Sequence, residues 1–417
     1  MDVPQTDIDI LRRLAGEVAQ IAALPVHKEK ARLWQRLNDL DSVRPMVWIN
    51  EICWNEMNVD DELTCRCTSS WGQGQEWNLR TLLYQWRHMP GDMVVDDYLA
   101  CPLAVWDAGF GLSEDVTITR LDPSSAVVSR TFHPQIRDPE DIHKIKCHPV
   151  RYDLEATEAN YQRMCRVYEG IMPVRKVGIK GTWFAPWDEL IRWWGVQEAM
   201  TDMVLRPKMV SDIMSHLVDC YIGRLDNWEA LNVLDRNDDS SRIGSGGYGY
   251  VSDLPGAGFD SGFVHPKNMW GCATAQIFSE VSPEMHWEFA LRHEMRWLER
   301  WGLSYYGCCE PLDIKMDILR KIPNLRKISM SHWIHVDRAV AQVQDKYVFS
   351  RKPTPALLAE DNWHGDRVRK DLVDCLELAR PCHVEVILKD ISTVRYKPQR
   401  LWEWEKIAME VVQQFAK

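Results

Sequence analysis

The sequence predicts an α/β protein built as a (β/α)₈ TIM-like barrel, with an N-terminal helical extension and inserted loops at the barrel mouth. Short apolar segments ending in polar clusters recur along the chain, and amphipathic helical patterns separate several of them. The length of 417 residues suffices for one barrel with insertions. Because alternating strands and helices form parallel sheets, eight such units favour a barrel over an open sheet.

The N-terminal segment, residues 1–43, predicts a helical extension in two pieces. Apolar residues recur at helical spacing from Ile8 to Ile21, Pro25 interrupts the pattern, and a second piece runs to Leu40. The polar break that follows separates this extension from the predicted barrel, which spans residues 44–417.

Eight segments of the barrel region are predicted as strands. They are residues 46–49, 103–106, 176–180, 242–245, 303–306, 327–331, 346–350 and 384–388. Helical patterns cover residues 197–232, 283–301, 313–322 and 366–380. Two long polar stretches, 52–100 and 111–170, do not fit a minimal barrel, and we expect them to cap its mouth. The Gly-rich stretch 245–262 lacks the Lys-Ser/Thr of a phosphate-binding loop, so we expect a mobile active-site loop.

Composition excludes several classes of protein. A net charge of −11 without a Lys/Arg-rich stretch argues against nucleic acid as a ligand. No apolar run is long enough to span a membrane, and Met1–Pro4 lacks the layout of a signal peptide. We therefore expect a cytoplasmic protein. Its 12 cysteines then indicate reduced thiols and metal ligands rather than disulfides.

The segment Tyr306-Gly307-Cys308-Cys309-Glu310 follows a predicted strand, and His332 follows the next strand along the chain. Neighbouring strand ends lie about 5 Å apart. Zinc binds thiolate, imidazole and carboxylate, so Cys308, Cys309, Glu310 and His332 are candidate ligands. Glu294 is a further candidate, on a helix. The alternatives are buried cysteines that only pack, and a Glu294 on a solvated helix face.

Two other strand ends carry candidate catalytic residues. Glu51 ends the first strand between two tryptophans, an environment that can raise the pKa of a carboxyl group. Lys389 and Asp390 close the last strand, where they orient substrate or form a plain ion pair. The 20 tryptophans also offer material for an aromatic-walled pocket. The candidate substrate-binding residues are Trp48, Trp183, Tyr248 and Tyr306.

Three segments resemble the uroporphyrinogen decarboxylase superfamily over roughly residues 40–415. Arg44-Pro45-Met46-Val47-Trp48 looks like the first strand of that family, and residues 177–186 (VGIKGTWFAP) look like its third strand and turn. Ser282-Pro283-Glu284, opening a helix, is also similar. The decarboxylases carry arginines after the first strand, whereas this chain has Asn50-Glu51-Ile52-Cys53-Trp54-Asn55 there. The absence of these arginines argues against a decarboxylase.

The other branch of the superfamily, the corrinoid-dependent methyltransferases, resembles this chain more closely. Many members bind zinc through His-x-Cys, a place that Tyr306-x-Cys308 takes here without the histidine. Members that remove methyl groups from aryl methyl ethers (the methyltransferase I components of O-demethylases) bind zinc through two glutamates and a histidine. Glu294, Glu310 and His332 resemble that pattern.

The resemblance implies a zinc-dependent methyltransferase. Zinc would activate a small-molecule donor, either a methoxylated aromatic or another methylated compound, and the Co(I) corrinoid (cobalamin) of a partner protein would take the methyl group. Members of the superfamily often form homodimers, so a homodimer is compatible with the resemblance. Two alternatives stay open: a uroporphyrinogen decarboxylase-like lyase, and a non-catalytic corrinoid- or tetrapyrrole-binding protein.

Overall fold

The computed structural model describes residues 3–120 and 128–417 of the chain. The strands in these residues are β1 Met46–Ile49, β2 Leu99–Pro102, β3 Val105–Trp106, β4 Val116–Thr119, β5 Ser129–Phe132, β6 Arg151–Tyr152, β7 Val174–Val177, β8 Trp270–Ala273, β9 Leu303–Tyr306, β10 Leu325–Met330, β11 Val348–Arg351 and β12 His383–Leu388. The N-terminal half holds helices α1 Gln5–Ala22, α2 Val26–Asn38, α3 Ser70–His88, α4 Leu154–Tyr168, α5 Pro186–Trp194, α6 Val196–Leu205 and α7 Pro207–Ala230. The C-terminal half holds α8 Pro283–His286, α9 Arg292–Leu298, α10 Met316–Leu319, α11 Val336–Val343, α12 Ala356–Ala359, α13 Gly365–Leu378 and α14 Gln399–Gln413.

A six-stranded parallel sheet forms the centre of the fold, with the strand order β1-β12-β11-β10-β9-β8. Every residue of β8, β9, β11 and β12 is buried. Strands that are buried on both faces need helices on the outside, and the chain supplies them between consecutive strands. The predicted mixture of parallel strands and helices is therefore confirmed.

A second parallel pair, β2 with β7, lies outside this sheet. Ile179, just beyond β7, bridges to Leu234. The Asn237 side chain donates to the Lys180 carbonyl at 2.7 Å and accepts from the Trp270 amide at 2.8 Å. Hydrogen bonds of the backbone and of the Asn237 side chain thus connect the end of β7 with the start of β8. Among the described residues no strand pairing joins β1 to β2, and closure into an eight-stranded ring stays a prediction.

The strand predictions are wrong at one position and displaced at others. Residues 242–245 lie in a turn, with only an isolated bridge from Arg242 to Tyr248. The sheet instead uses β8, a short Trp-Gly-Cys-Ala segment that no periodicity marks. The strand predicted over residues 103–106 is displaced, because the chain forms its strand β2 earlier, at Leu99–Pro102. The helix predicted over residues 313–322 is observed only as the four-residue helix α10.

The predicted mouth insertions hold more regular structure than loops. Residues 52–100 contain α3, and residues 111–170 contain the β4–β5 hairpin and α4. Leu79 of α3 and Met164 of α4 share an apolar cluster with Leu11 of α1. The N-terminal extension is helical as predicted and packs with these insertions. Residues 121–127 of the second insertion lie outside the described residues.

The Gly-rich segment 243–249 is buried against the sheet, which corrects the expectation of a mobile loop there. Ser245 Oγ lies 2.9 Å from Tyr305 Oη, and the Gly247 amide donates to Glu385 at 3.2 Å. A Cβ at Gly247 would collide with the Trp34 ring, and one at Gly249 with the Asn237 carbonyl. Glycine is therefore used here for close packing.

One pair of cysteines departs from the expectation of reduced thiols. Cys147 and Cys220 are joined by a disulfide across 73 residues of sequence. Such a separation gives no local signal in the sequence, because only the fold brings the two residues together. Within residues 3–120 and 128–417, no helix combines the length and the apolar character needed to cross a membrane.

Candidate functional site

A cavity of about 680 Å³ opens where the parallel strands end. Residues beyond the carboxyl ends of β1, β7, β9 and β12 line it, as is usual for sites in parallel α/β folds. The lining includes Glu51, Lys180, Thr182, Trp183, Asn237, Arg242, Gly244, Trp270, Cys272, Gln276, Trp301, Cys308, Lys389 and Asp390. The strand ends that the sequence singled out at Glu51, Cys308 and Lys389-Asp390 therefore meet in one place.

Lys389 is the central charge of this cavity. Its side chain is only 3% exposed, and Nζ lies 2.5 Å from Asp390, 3.5 Å from Glu51 and 3.9 Å from the Cys309 sulfur. Burial alone would lower the pKa of Lys389, but the surrounding thiols and carboxylates outweigh it and raise the pKa. The ammonium group therefore stays charged at the cavity wall.

The pKa of Glu51 is lowered, whereas the sequence predicted an environment that would raise it. Burial would raise the pKa of Glu51, but the charges of Lys389 and Arg242 lower it to about 2. Arg242 donates to the other carboxylate oxygen of Glu51 at 2.5 Å. The tryptophans that flank Glu51 in sequence do not set its environment. Two cations contributed by distant segments do, and the carboxylate is ionised.

Cys308 and Cys309 form a vicinal thiol pair at the cavity, with their sulfurs 3.5 Å apart. The hydrogen bond from Cys309 lowers the pKa of the Cys308 thiol, against the effect of burial and with help from the Lys389 charge. The hydrogen bond with Cys308, together with burial, raises the pKa of Cys309. Cys308 is thus the more acidic thiol, and it lines the cavity.

Beyond the Cys308–Cys309 pair, the structure does not bring the predicted zinc ligands together. Glu310 is fully buried, and its two oxygens accept from Thr274 Oγ1 at 2.9 Å and from the Cys308 amide at 2.8 Å. His332 lies against Trp333 and lines a neighbouring hollow. In the part of the chain that is described, no three ligand atoms of the predicted set lie within 4.8 Å of one another. Zinc binding by these residues stays a prediction without an assembled ligand set.

Glu294 lies on α9 in a fully buried polar chain and not on a solvated helix face. Tyr306 Oη donates to Glu294 at 2.8 Å and lies 2.7 Å from His286 Nε2. His286 Nδ1 in turn lies 3.2 Å from Lys315 Nζ. Burial raises the pKa of Glu294 to about 8, so the carboxyl group is mostly protonated at neutral pH. Tyr306, predicted to bind substrate, belongs to this chain and not to the cavity lining.

The predicted aromatic residues divide between cavity and core. Trp183 stands at the cavity with 40% of its surface exposed. Trp48 and Tyr248 pack on each other at 4.5 Å between ring centroids, away from the cavity lining. Sequence reasoning missed Trp270 and Trp301, which line the cavity although they are almost fully buried. Because the chain has 20 tryptophans, composition alone could not indicate which of them line the cavity.

Below the cavity, the inner face of the sheet carries a buried ionic network. Lys352 Nζ donates to Tyr305 Oη at 3.0 Å and to Ser350 Oγ at 2.5 Å. Glu385 accepts from Ser350 Oγ at 2.5 Å and from Lys327 Nζ at 3.0 Å. Burial lowers the pKa of Lys352 to about 7. These charges are paired with one another, which a buried ion requires.

A separate group of side chains offers metal-ligand atoms away from the cavity. Cys147, His216 and Cys220 have ligand atoms within 4.8 Å of one another, and Cys147 is exposed while Cys220 is buried. Such a Cys-His-Cys group can bind a metal when the thiols are free. None of the three residues was singled out by the sequence.

Comparisons with known proteins give little beyond this geometry. No family model and no curated protein matches the chain. Among solved structures, the chain is similar to a methyltransferase from Methanosarcina mazei, with a TM-score of 0.49 and 9% sequence identity. The match covers 93% of this chain and 99% of that chain. At this level of likeness it carries no information on the reaction.

Proposed function

We propose that this chain is a methyltransferase that moves a methyl group from a small methylated donor, held in the strand-end cavity, to the Co(I) corrinoid of a partner protein. The observation that carries the proposal is the nearly buried Lys389 ammonium at the wall of a cavity large enough for a small aromatic molecule. The sequence resemblance to corrinoid-dependent methyltransferases supplies the reaction class.

The charges of the cavity suit the breaking of a bond between methyl carbon and a heteroatom. As the methyl group leaves, the electron pair of the broken bond stays on the oxygen of a methoxylated donor. Lys389 and Arg242 place positive charge beside that oxygen. Glu51 and Asp390 hold the Lys389 side chain in place. The corrinoid, when bound, supplies the nucleophile that accepts the methyl group.

The proposed methyl transfer does not use zinc. The predicted carboxylate ligand Glu310 already accepts two hydrogen bonds, and Glu294 accepts one from Tyr306. The charge that zinc would supply at the thiol pair comes instead from Lys389, whose Nζ lies 3.9 Å from Cys309.

A methoxylated aromatic compound is the donor class that we propose. Three indole side chains, those of Trp183, Trp270 and Trp301, line the cavity, and flat aromatic donors stack on such surfaces.

The test is methyl transfer to free cob(I)alamin under anaerobic conditions, with a panel of methoxylated benzoates and phenols and of methylated amines. We expect methylcobalamin to form, as followed by its absorption spectrum, with at least one methoxylated aromatic. Lys389→Met should abolish this reaction, and Lys389→Arg should retain part of it because the charge remains.

Two results would contradict the proposal. Decarboxylation of uroporphyrinogen, with no methyl transfer from any donor, would favour the lyase alternative. A change in the corrinoid spectrum that never develops into methylcobalamin would favour a non-catalytic binding protein.

A further inference from the structure

We propose that Cys147, His216 and Cys220 form a redox-controlled zinc site, which holds Zn²⁺ when both thiols are reduced and excludes it when they are joined as a disulfide. The site lies outside the cavity described above and is independent of the proposed methyl transfer. It joins the inserted segment around Cys147 to the middle of helix α7.

The backbone presents the three side chains to one point. His216 and Cys220 are four residues apart on α7, so they share one face of the helix. Cys147 approaches from the segment that follows the short 3₁₀ helix Pro139–Lys144. The ligand atoms of all three lie within 4.8 Å of one another. Two thiolates around a tetrahedral zinc, with Zn–S of about 2.3 Å, stand about 3.8 Å apart. The two sulfurs are bonded to each other in the disulfide, so reduction must let them separate before zinc can enter between them and His216.

The orientation of His216 also suits a ligand. Its Nε2 lies 3.0 Å from the Ile145 carbonyl oxygen. Histidines that bind metals commonly donate their other ring N–H to a carbonyl, which fixes the ring and the tautomer. With Nε2–H donating to Ile145, Nδ1 carries the lone pair for zinc. The exposure of Cys147 leaves the fourth position open to a water molecule.

The two states exclude each other because both use the same sulfur atoms. A dithiol reductant exchanges with the Cys147–Cys220 disulfide, so that the protein gains two thiols and the reductant becomes a disulfide. Zn²⁺ then displaces two protons as the two thiolates form. In the oxidised and zinc-loaded states the segment around Ile145 and Val150, both buried, is tied to α7. Only the reduced, metal-free chain leaves it untied.

The experiment uses the full chain and Co²⁺ as a spectroscopic substitute for zinc. Protein is reduced with a dithiol, desalted anaerobically and titrated with Co²⁺. We expect a thiolate-to-cobalt charge-transfer band, which Zn²⁺ abolishes by displacement. Cys147→Ser, at an exposed position, should remove the band, and His216→Ala should weaken binding by about tenfold or more. Cys165→Ser, which alters a cysteine of α4 outside the site, should leave the band unchanged.

A band of full intensity in Cys147→Ser, as the Cys308–Cys309 pair would produce, would overturn the proposal. So would equal Co²⁺ binding by chain whose disulfide is intact. Limited proteolysis gives a second readout: cleavage within residues 139–150 should be fastest in reduced, chelator-treated protein and slow in the other two states. Equal cleavage in all three states would refute the link between the site and the segment.

Discussion

Lys389 contacts several titratable groups of the cavity and changes the pKa of two of them. Its Nζ lies within 4 Å of Glu51, Asp390 and Cys309, and its charge lowers the pKa of both Glu51 and Cys308. A lysine that is 3% exposed would be costly without such partners. The surrounding groups therefore stabilise the ammonium, and its charge in turn favours the ionised form of Glu51 and the thiolate of Cys308.

The first prediction concerns Lys389→Met and the reactivity of Cys308. The thiolate is the reactive form, so alkylation of Cys308 in the native chain should reach half its maximal rate at a lower pH than an ordinary thiol. Removal of the Lys389 charge should raise the pKa of Cys308 and move that midpoint to higher pH. Iodoacetamide labelling, read by mass spectrometry of the Cys308 peptide, measures it.

Lys180→Met is the matched control, because Lys180 also lines the cavity but pairs with Asp239 at 2.5 Å. Its removal should leave the Cys308 midpoint where it is. Equal shifts in both variants would mean that general cavity charge, and not the Lys389 contact, sets the acidity of Cys308.

The second prediction concerns Glu294, whose pKa is raised by burial to about 8. The unfolded chain releases this proton near its ordinary pKa of 4.5, whereas the folded chain holds it up to about pH 8. Stability should therefore fall as pH rises between these values, by about 1.4 kcal/mol per unit for this group. Glu294→Gln cannot ionise, so its stability relative to the native chain should increase over the same window.

Urea unfolding at a series of pH values between 4.5 and 8 measures this difference. Glu299→Gln, at an exposed position just beyond the same helix, is the control and should show no such trend. A constant difference between Glu294→Gln and the native chain would show that the carboxyl group is ionised in the folded state.

Sequence reasoning found part of the site because strand ends can be read from local patterns. Glu51, Lys389, Asp390 and Cys308 all follow strands and all reach the cavity. Glu310 follows the same strand as Cys308, but it turns away to accept from Thr274. Periodicity does not fix the direction of side chains in the turn after a strand, so these two residues could not be separated in advance.

At the scale of elements, the segment 243–249 explains much of the cavity. It lies on the inner face of the sheet, where Ser245 contacts Tyr305 and the Gly247 amide contacts Glu385. Gly244, a half-buried residue of this segment, lines the cavity. The backbone of this segment therefore fills space against the sheet that would otherwise be filled by side chains. The segment also holds Arg242, the residue just before it, against Glu51.

The third prediction follows from how tightly this segment packs. Gly249→Ala would place a Cβ into the backbone carbonyl of Asn237, which cannot move freely because the Asn237 side chain bonds to Lys180 and Trp270. We expect destabilisation by about 1–3 kcal/mol in urea unfolding. Gly223→Ala in helix α7 meets nothing within 4 Å and should be neutral or stabilising by about 0.5–1 kcal/mol.

The elements that the sequence predicted best are those with strong apolar runs and clear helical spacing. β1, β9 and β12 are long enough or apolar enough to stand out, as are α1 and α13. β8 could not be predicted, because Gly271 interrupts its apolar run to make room for the Trp301 ring. That requirement comes from a residue 30 positions away and leaves no local pattern.

At the scale of the whole molecule, distant pairings join the parts that the sequence shows separately. Arg242 pairs with Glu51, and the Arg44–Asp92 pair, buried at both ends, fixes the start of β1 to the segment after α3. The N-terminal helix α1 shares an apolar cluster with α3 and α4. The predicted boundary at residue 43 marks a change in pattern, while packing continues across it.

The fourth prediction concerns the Cys147–Cys220 disulfide, which closes a loop of 73 residues. A link across such a loop restricts the unfolded chain, and the chain-entropy model gives a stabilisation of about 4 kcal/mol. Oxidised protein should therefore unfold at higher urea concentration than reduced protein kept metal-free with a chelator. Cys147→Ser should unfold at the same urea concentration with and without reductant. If the native chain also responds to neither oxidation nor reduction, the two cysteines do not constrain the unfolded state. The insertion is then held to helix α7 by the packing of Ile145 and Val150 and by the hydrogen bond between His216 and Ile145.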